Sequence, residues 1–144
     1  MSNADFETWS NSTTCTSWSA TNLTITQEED TTSPNNYSVF AGSYSAKLQV
    51  AASTAGSLLQ SVTPSVGVEG NEVHLGIWVY CNTADRVSAQ ISGSDVTSTP
   101  VTGTAHSGSG WELLEVSAFI DNNGTSFSAG LSVTSGTAIA FYCD

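Results

Sequence analysis

The chain has 144 residues, of which 39% are hydrophobic and 10% are charged. Thirteen carboxylates against two basic side chains, Lys47 and Arg86, give a net charge of −11. Because phosphate groups are bound by lysine and arginine, this balance argues against nucleic acid and anionic membranes as partners. The hydrophobic content argues against a disordered chain, and no apolar run approaches the roughly 18 residues of a membrane span. The length predicts a single domain over residues 1–144.

Apolar and polar residues alternate along almost every predicted element. In chain order, the predicted strands cover residues 21–26, 43–50, 57–62, 73–81, 86–91, 111–120, 126–133 and 139–143. Turn residues separate them, including the stretch from Gly103 to Gly110. A period of two is typical of half-buried strands, and no stretch has the pattern of a long amphipathic helix. Eight or nine short strands predict an all-β fold, an antiparallel β-sandwich of jelly-roll type.

The three cysteines allow two interpretations. Cys15, Cys81 and Cys143 are an odd number, and no two of them form a CxxC metal or redox motif. A bridge between Cys81 and Cys143 is one alternative, since each ends an apolar strand-like run. Three buried free thiols are the other.

Aromatic residues stand in a background of 24 serines and 19 threonines. Flat ring faces and neutral hydroxyls suit stacking on neutral sugars or docking against another protein. Trp78, Tyr80 and His74 share one face of the strand at 73–81. If the aliphatic face of that strand is the core, these three side chains form an open platform; otherwise Trp78 belongs to the core.

The three other tryptophans carry separate predictions. Trp9 and Trp18 flank a polar loop and form the alternative pair for ligand binding. Trp111 follows a glycine-rich stretch at the start of a strand, where a core anchor is expected.

The sequence contains no recognisable catalytic motif. It has no GxSxG elbow, no HExxH and no glycine-rich phosphate loop followed by lysine. Glu112 and Glu115 do not make a glycosidase pair, because three residues along a strand place two side chains on opposite faces. The prediction is therefore a non-enzyme.

The order of short motifs resembles galactose-binding-like carbohydrate-binding modules along the whole chain. Asp5–Trp9 looks like the family's N-terminal "DFE" strand, and Ala41–Leu48 is similar to its "G-x-x-S" strand. The other matching segments are Leu59–Val62, Val73–Tyr80, Gly110–Glu112 and the closing Ala140–Asp144. The resemblance implies a jelly-roll fold and binding of glycans by aromatic side chains on a sheet face or in loops.

The resemblance also implies a structural calcium ion where the first and last strands meet the loop before the "G-x-x-S" strand. Carried over to this chain, Glu7 and Asp144 would supply carboxylates, and backbone carbonyls from Gly42 to Ser45 would complete an oxygen shell. Carboxylates and carbonyls are the ligands that calcium prefers.

Two functional classes follow. The first is a recognition module displayed on a virion or cell exterior, such as a phage capsid decoration, head fibre or tail component. The lack of a signal peptide and a chain end directly after the last strand favour it. The alternative is a module excised from a secreted polysaccharide-degrading enzyme or adhesin. The expected partner is a neutral glycan or a virion protein, with further copies of the chain in an assembly. The expected location is the virion surface or the extracellular space.

Overall fold

The computed structural model describes residues 1–29, 38–63, 68 and 70–144. Twelve strands lie in this part of the chain: β1 (Trp9–Asn11), β2 (Thr14–Cys15), β3 (Ser19–Thr21), β4 (Thr24–Glu29), β5 (Tyr44–Val50), β6 (Gly56–Val62), β7 (Glu72–Tyr80), β8 (Val87–Ser92), β9 (Val101–Ala105), β10 (Trp111–Phe119), β11 (Phe127–Val133) and β12 (Ile139–Cys143). Among these described residues, no helix is long and apolar enough to cross a membrane.

The strands form two five-stranded antiparallel sheets and a small ribbon. The front sheet has the order β10-β7-β12-β5-β4, and the back sheet has the order β3-β6-β11-β8-β9. β1 and β2 pair with each other beside them. Sequence neighbours therefore often lie in different sheets, as in a jelly roll. The predicted antiparallel β-sandwich of jelly-roll type is confirmed, although the described residues contain twelve strands rather than the eight or nine predicted.

The core lies between the two sheets. Along β7, Leu75, Ile77 and Val79 are buried, whereas the residues between them are exposed or half-buried. The side chains that bring the sheets together without any exposed surface include Leu48, Leu58, Val79, Val87, Leu131 and Phe141. Each such side chain contributes about 1.5–3 kcal/mol through burial. The period of two therefore reports the inner face correctly.

One predicted turn is instead a strand. Residues 103–105 belong to β9, which pairs with β8 at the edge of the back sheet. A Cβ atom at Gly103 would lie 2.0 Å from the carbonyl oxygen of Glu115 in β10. This glycine therefore permits two backbones to pass close together rather than marking a turn, and the prediction was wrong at this point.

The N-terminal segment also differs from its prediction. Residues 5–8 are not a strand, because Asn3 and Phe6 have φ angles of 51° and 53° and fold the chain into turns. The Phe6 side chain is fully buried and stacks on Trp18, with ring centroids 4.7 Å apart. The resemblance to an N-terminal "DFE" strand is therefore wrong in local structure, and regular pairing starts at Trp9.

All three cysteines are buried free thiols, so the bridge between Cys81 and Cys143 does not form. Burial raises the pKa of the Cys15 thiol to about 11 and that of Cys143 well above its ordinary value. Thiols held in the neutral form are weak nucleophiles, and these three act as small apolar core residues.

Candidate functional site

The outer face of the front sheet carries the aromatic side chains. Because the aliphatic residues of β7 face the core, Trp78 and Tyr80 face outward and are half-buried. Tyr80 pairs directly with Trp111 of β10 and with Tyr142 of β12. Directly paired residues lie on the same face of a sheet. The sheet register therefore brings three strands' aromatic residues into one row.

The rings touch one another and form what we call the aromatic cluster, which consists of Phe40, Trp78, Tyr80, Trp111 and Tyr142. Phe40 stacks on Trp78 with centroids 4.1 Å apart and an angle of 16° between the planes. It also contacts Trp111 at 5.4 Å. Tyr80 meets Trp111 at 5.8 Å and Tyr142 at 6.1 Å, edge to face in both cases. Such pairs hold the rings in fixed orientations.

Three members of this cluster, Phe40, Trp111 and Tyr142, were not among the predicted binding residues. Trp111 was expected as a core anchor, but the inward residues of β10 are Leu114, Val116 and Ala118, which places Trp111 on the opposite face. Phe40 precedes β5 in a loop, where no periodicity indicates its direction, and its side chain is 44% exposed.

The loop before Trp111 is fixed by a fully buried histidine. His106 Nε2 lies 3.0 Å from the carbonyl oxygen of Val79 and 3.1 Å from that of Gly110. Gly108 donates its N–H to Nδ1 at 2.8 Å. Two carbonyl acceptors at Nε2 and a donor at Nδ1 define the neutral tautomer that carries its proton on Nε2. The imidazole thus anchors residues 106–110 to β7 and positions Trp111.

The two carboxylates of β10 serve different faces. Glu112 Oε2 accepts the N–H of Ser107 at 2.8 Å, and this hydrogen bond lowers the pKa of Glu112. Glu115 is exposed on the outer face, in register with Gly76. The pair is therefore split as predicted and cannot flank one substrate bond.

A cation lies beside the tyrosine end of the aromatic cluster. Lys47 Nζ is 3.1 Å from Glu28 Oε1 and 5.6 Å from the centre of the Tyr142 ring. The hydrogen bond to Glu28 raises the pKa of Lys47. The outer face therefore combines ring surfaces with an ammonium and a carboxylate, which can donate to and accept from hydroxyl groups.

The third residue of the predicted platform lies farther along the strand. His74 shares the outer face, with a side chain that is 73% exposed and 3.6 Å from Glu72. It stands four residues from Trp78, which is roughly 13 Å along a strand. Gly76 lies between them without a side chain. The structure thus groups Trp78 with Tyr80 and leaves His74 outside the aromatic cluster.

The alternative pair, Trp9 and Trp18, does not form an open platform, and this prediction was wrong. Trp18 is only 9% exposed and donates its indole N–H to the carbonyl oxygen of Asn3 at 2.9 Å. Trp9 is half-buried against the core and donates its indole N–H to the carbonyl of Phe6. The two indole hydrogen bonds therefore hold the turns at Asn3 and Phe6 in place.

The carboxylates predicted to bind calcium meet one loop. Glu7 Oε1 accepts the N–H groups of Ser43 (2.8 Å) and Tyr44 (3.0 Å). Asp144 Oδ2 accepts those of Phe40 and Ala41, both at 2.9 Å. The loop before β5 is therefore held by carboxylates from both ends of the chain.

The negative charges of Asp5, Glu7 and Asp144 lie close together beside this loop. Burial raises the pKa of Asp144, and the charges of Glu7 and Asp5 raise it further against the effect of its backbone hydrogen bonds. Gly42 has a φ of 79°, and a Cβ atom there would lie 2.2 Å from Glu7 Oε1. Ser45 is fully buried and donates its hydroxyl to the carbonyl of Ser38, so this hydroxyl is not directed at the carboxylates.

The groups around the loop before β5 meet only some of the requirements of a calcium site. Two neighbouring carboxylates, one of which (Asp144) has a raised pKa, favour a nearby positive charge. However, the loop turns N–H groups toward them, and among the described residues no three His, Cys, Asp or Glu side chains are grouped to hold a metal. A calcium ion would depend on the second oxygen of each carboxylate and on backbone carbonyls.

No protein-family model and no curated sequence matches the chain. Solved structures of similar fold include TmCBM61 in complex with β-1,4-galactotriose, with a TM-score of 0.63 and 15% identity over 100% of this chain and 92% of that one. The CBM22-1 xylan-binding domain of Paenibacillus barcinonensis Xyn10C has a TM-score of 0.67 and 16% identity over 97% of this chain and 86% of that one. The fold is therefore that of carbohydrate-binding modules, as the sequence resemblance implied.

A viral protein shares the fold as well. The enzymatically active domain of tailspike protein 4 from bacteriophage CBA120 matches 99% of this chain and 20% of its own length, with a TM-score of 0.62 and 17% identity. This chain therefore corresponds to one part of that larger structure.

Proposed function

We propose that the protein is a non-catalytic carbohydrate-binding module that binds a glycan on the aromatic cluster. The observation that carries this proposal is the contiguous row of rings from Phe40 through Trp111 to Tyr142 on the outer face of the front sheet. Ring faces stack on the apolar C–H face of a pyranose, and Lys47 and Glu28 at the edge hydrogen-bond its hydroxyl groups.

The charge distribution favours a neutral glycan. The protein has a net charge of −11, and Lys47, beside the rings, is already paired with Glu28. A polyanionic sugar would meet repulsion from most of the surface. Linear neutral oligosaccharides such as β-1,4-galactotriose and xylohexaose are therefore the first probes.

The test is isothermal titration calorimetry with Trp111→Ala. One stacked ring contributes about 0.5–1.5 kcal/mol beyond the area it buries, and the buried area itself adds to this. We expect affinity to fall about tenfold or more. Phe119→Ala is the matched control, because Phe119 is 56% exposed at the other end of the same strand and outside the cluster. Equal affinities in both variants would contradict the proposed site.

We further propose that the module is displayed on a virion or cell exterior rather than excised from a secreted polysaccharide-degrading enzyme. The tailspike likeness and the scarcity of lysine and arginine support this proposal. Antibody labelling of purified particles should decorate intact virions. Labelling confined to a secreted hydrolase of the same source would support the alternative.

Calcium at the loop before β5 is a separate proposal. Its residues would be Glu7, Asp144 and backbone carbonyls from Gly42 to Ser45, and the ion would tie both chain ends to this loop. Binding stabilises the folded state by about 2.7 kcal/mol at a free concentration of 100 times the dissociation constant. Chelation should lower the melting temperature of calcium-loaded protein, and Glu7→Gln should remove this response while Glu115→Gln keeps it.

The pH dependence gives the calcium proposal a second readout. The folded-state pKa of Asp144 is raised, so its protonation stabilises the metal-free protein as the pH falls through that raised value. Calcium binds the ionised form, so its stabilising effect should shrink over the same pH window. Identical melting curves with calcium and with chelator at neutral pH would leave the carboxylates as caps of the loop.

A further inference from the structure

Phe40 lies in a loop outside the strands, yet its ring covers one face of a ring on the sheet. It stacks on Trp78 with centroids 4.1 Å apart and with the two planes only 16° from parallel. The Phe40 side chain itself remains 44% exposed. A pyranose that binds at this part of the aromatic cluster can therefore stack on Phe40 but not on the covered face of Trp78.

Asp144 connects the two residues of this stack. Its main-chain N–H and C=O groups pair with those of Trp78 at 3.0 and 3.1 Å, so both side chains lie on the outer face of the sheet. Asp144 Oδ2 accepts the N–H groups of Phe40 and Ala41, both at 2.9 Å. Trp78, Asp144 and Phe40 thus form a closed set of three contacts, in which each residue binds the other two.

A second carboxylate holds the rest of the loop. Glu7 Oε1 accepts the N–H groups of Ser43 and Tyr44 at 2.8 and 3.0 Å. Gly42 has a φ of 79°, and a Cβ atom there would lie 2.2 Å from Glu7 Oε1, so glycine permits this close approach. Four of the five N–H groups from Phe40 to Tyr44 are therefore bound by a carboxylate oxygen. Hydrogen bonds to an ionised acceptor are stronger than neutral ones and order the loop.

We propose that Asp144 and Glu7 are positioning residues of the glycan site, because they hold the Phe40 ring where it contacts the bound sugar. This inference rests on the proposed function of the aromatic cluster. A ring that is already fixed in its bound orientation loses less conformational entropy on binding than a ring on an unordered loop. The two carboxylates therefore contribute to glycan affinity through Phe40.

The position of Phe40 is tested first by NMR without glycan, in the presence of a chelator so that no cation bridges the carboxylates. Nuclear Overhauser effects between the Phe40 ring and the Trp78 indole should be lost in Asp144→Ala. They should be kept in Asp144→Asn, because asparagine retains an acceptor oxygen. Asp95→Ala is the matched control, since Asp95 Oδ2 accepts two consecutive N–H groups in a different loop. Unchanged Phe40–Trp78 effects in Asp144→Ala would overturn the inference.

The contribution to affinity is measured by calorimetric titration with β-1,4-galactotriose or xylohexaose as a double-mutant cycle. Asp144→Ala, Glu7→Ala and Phe40→Ala should each weaken binding about two- to tenfold. Asp95→Ala should leave the affinity unchanged. In the Phe40→Ala background, Asp144→Ala should cause no further loss, because its effect passes through the Phe40 ring. Additive losses would contradict positioning through Phe40.

Two outcomes separate this inference from the glycan proposal. If Trp111→Ala weakens glycan binding but Phe40→Ala and Asp144→Ala do not, the glycan site stands and the positioning role is wrong. If no neutral glycan binds to the unaltered protein, both are contradicted.

Discussion

Replacing Gly103 with alanine should destabilise the protein strongly, although the change adds a single methyl group. The new Cβ would lie 2.0 Å from the carbonyl oxygen of Glu115, 3.0 Å from its carbonyl carbon and 3.4 Å from Val116 Cβ. The first two atoms are backbone atoms of β10, which pairs with β7 along its whole length. They cannot move aside as the end of a flexible side chain would.

The magnitude follows from this geometry. Overpacking a core typically costs about 1–3 kcal/mol, and a clash between two backbones belongs at the upper end of that range. A loss of about 3 kcal/mol corresponds to a fall in melting temperature of roughly 10 °C in a domain of this size. Differential scanning calorimetry and urea unfolding give the two quantities independently.

Gly76→Ala is the matched control for this prediction. A Cβ at Gly76 would lie 3.3 Å from Leu113 Cδ1, at the end of a flexible side chain. Its effect on stability should stay within about 0.5 kcal/mol. If Gly103→Ala proved as mild as Gly76→Ala, β9 would not approach β10 as closely as described, and the account of this corner of the sandwich would be wrong.

Two other predictions concern a loop and the aromatic cluster. The N–H groups of Thr125 and Ser126 lower the pKa of Asp95 in the folded state. The contribution of Asp95 to the free energy of unfolding is therefore complete above the ordinary aspartate pKa and is lost as the pH falls through the lowered value. Asp95→Asn should remove this part of the acid sensitivity in urea unfolding between about pH 5 and 2. Phe40→Ala removes the ring stacked on Trp78 and should cost about 0.5–1.5 kcal/mol of stability. Unchanged unfolding in that variant would show that the stack adds nothing in solution.

The periodicity of the sequence predicts the sandwich because burial acts on alternate residues. Leu75, Ile77 and Val79 face the core, and this alone places Trp78 and Tyr80 outside. The same reasoning could not orient Trp111, because its strand is apolar on both faces. Packing against the back sheet decides which alternate residues of that strand face the core.

Other features depend on contacts between distant parts of the chain. Gly103 looks like a turn residue in the sequence, but its role is set by the backbone of Glu115, twelve residues away. Trp18 is buried because the turn at Phe6 stacks the Phe6 ring on it, and Phe40 is positioned by its stacking on Trp78. The local alternation of apolar and polar residues does not indicate these contacts between distant residues.

The central claim is tested most directly by the four tryptophan indole N–H signals in an NMR titration with β-1,4-galactotriose or xylohexaose. We expect the signals of Trp78 and Trp111 to shift when the glycan binds. Those of Trp9 and Trp18 should stay in place, because both indoles are bonded to the N-terminal turns. Shifts confined to Trp9 and Trp18, or no shift with any neutral glycan, would contradict glycan binding at the aromatic cluster.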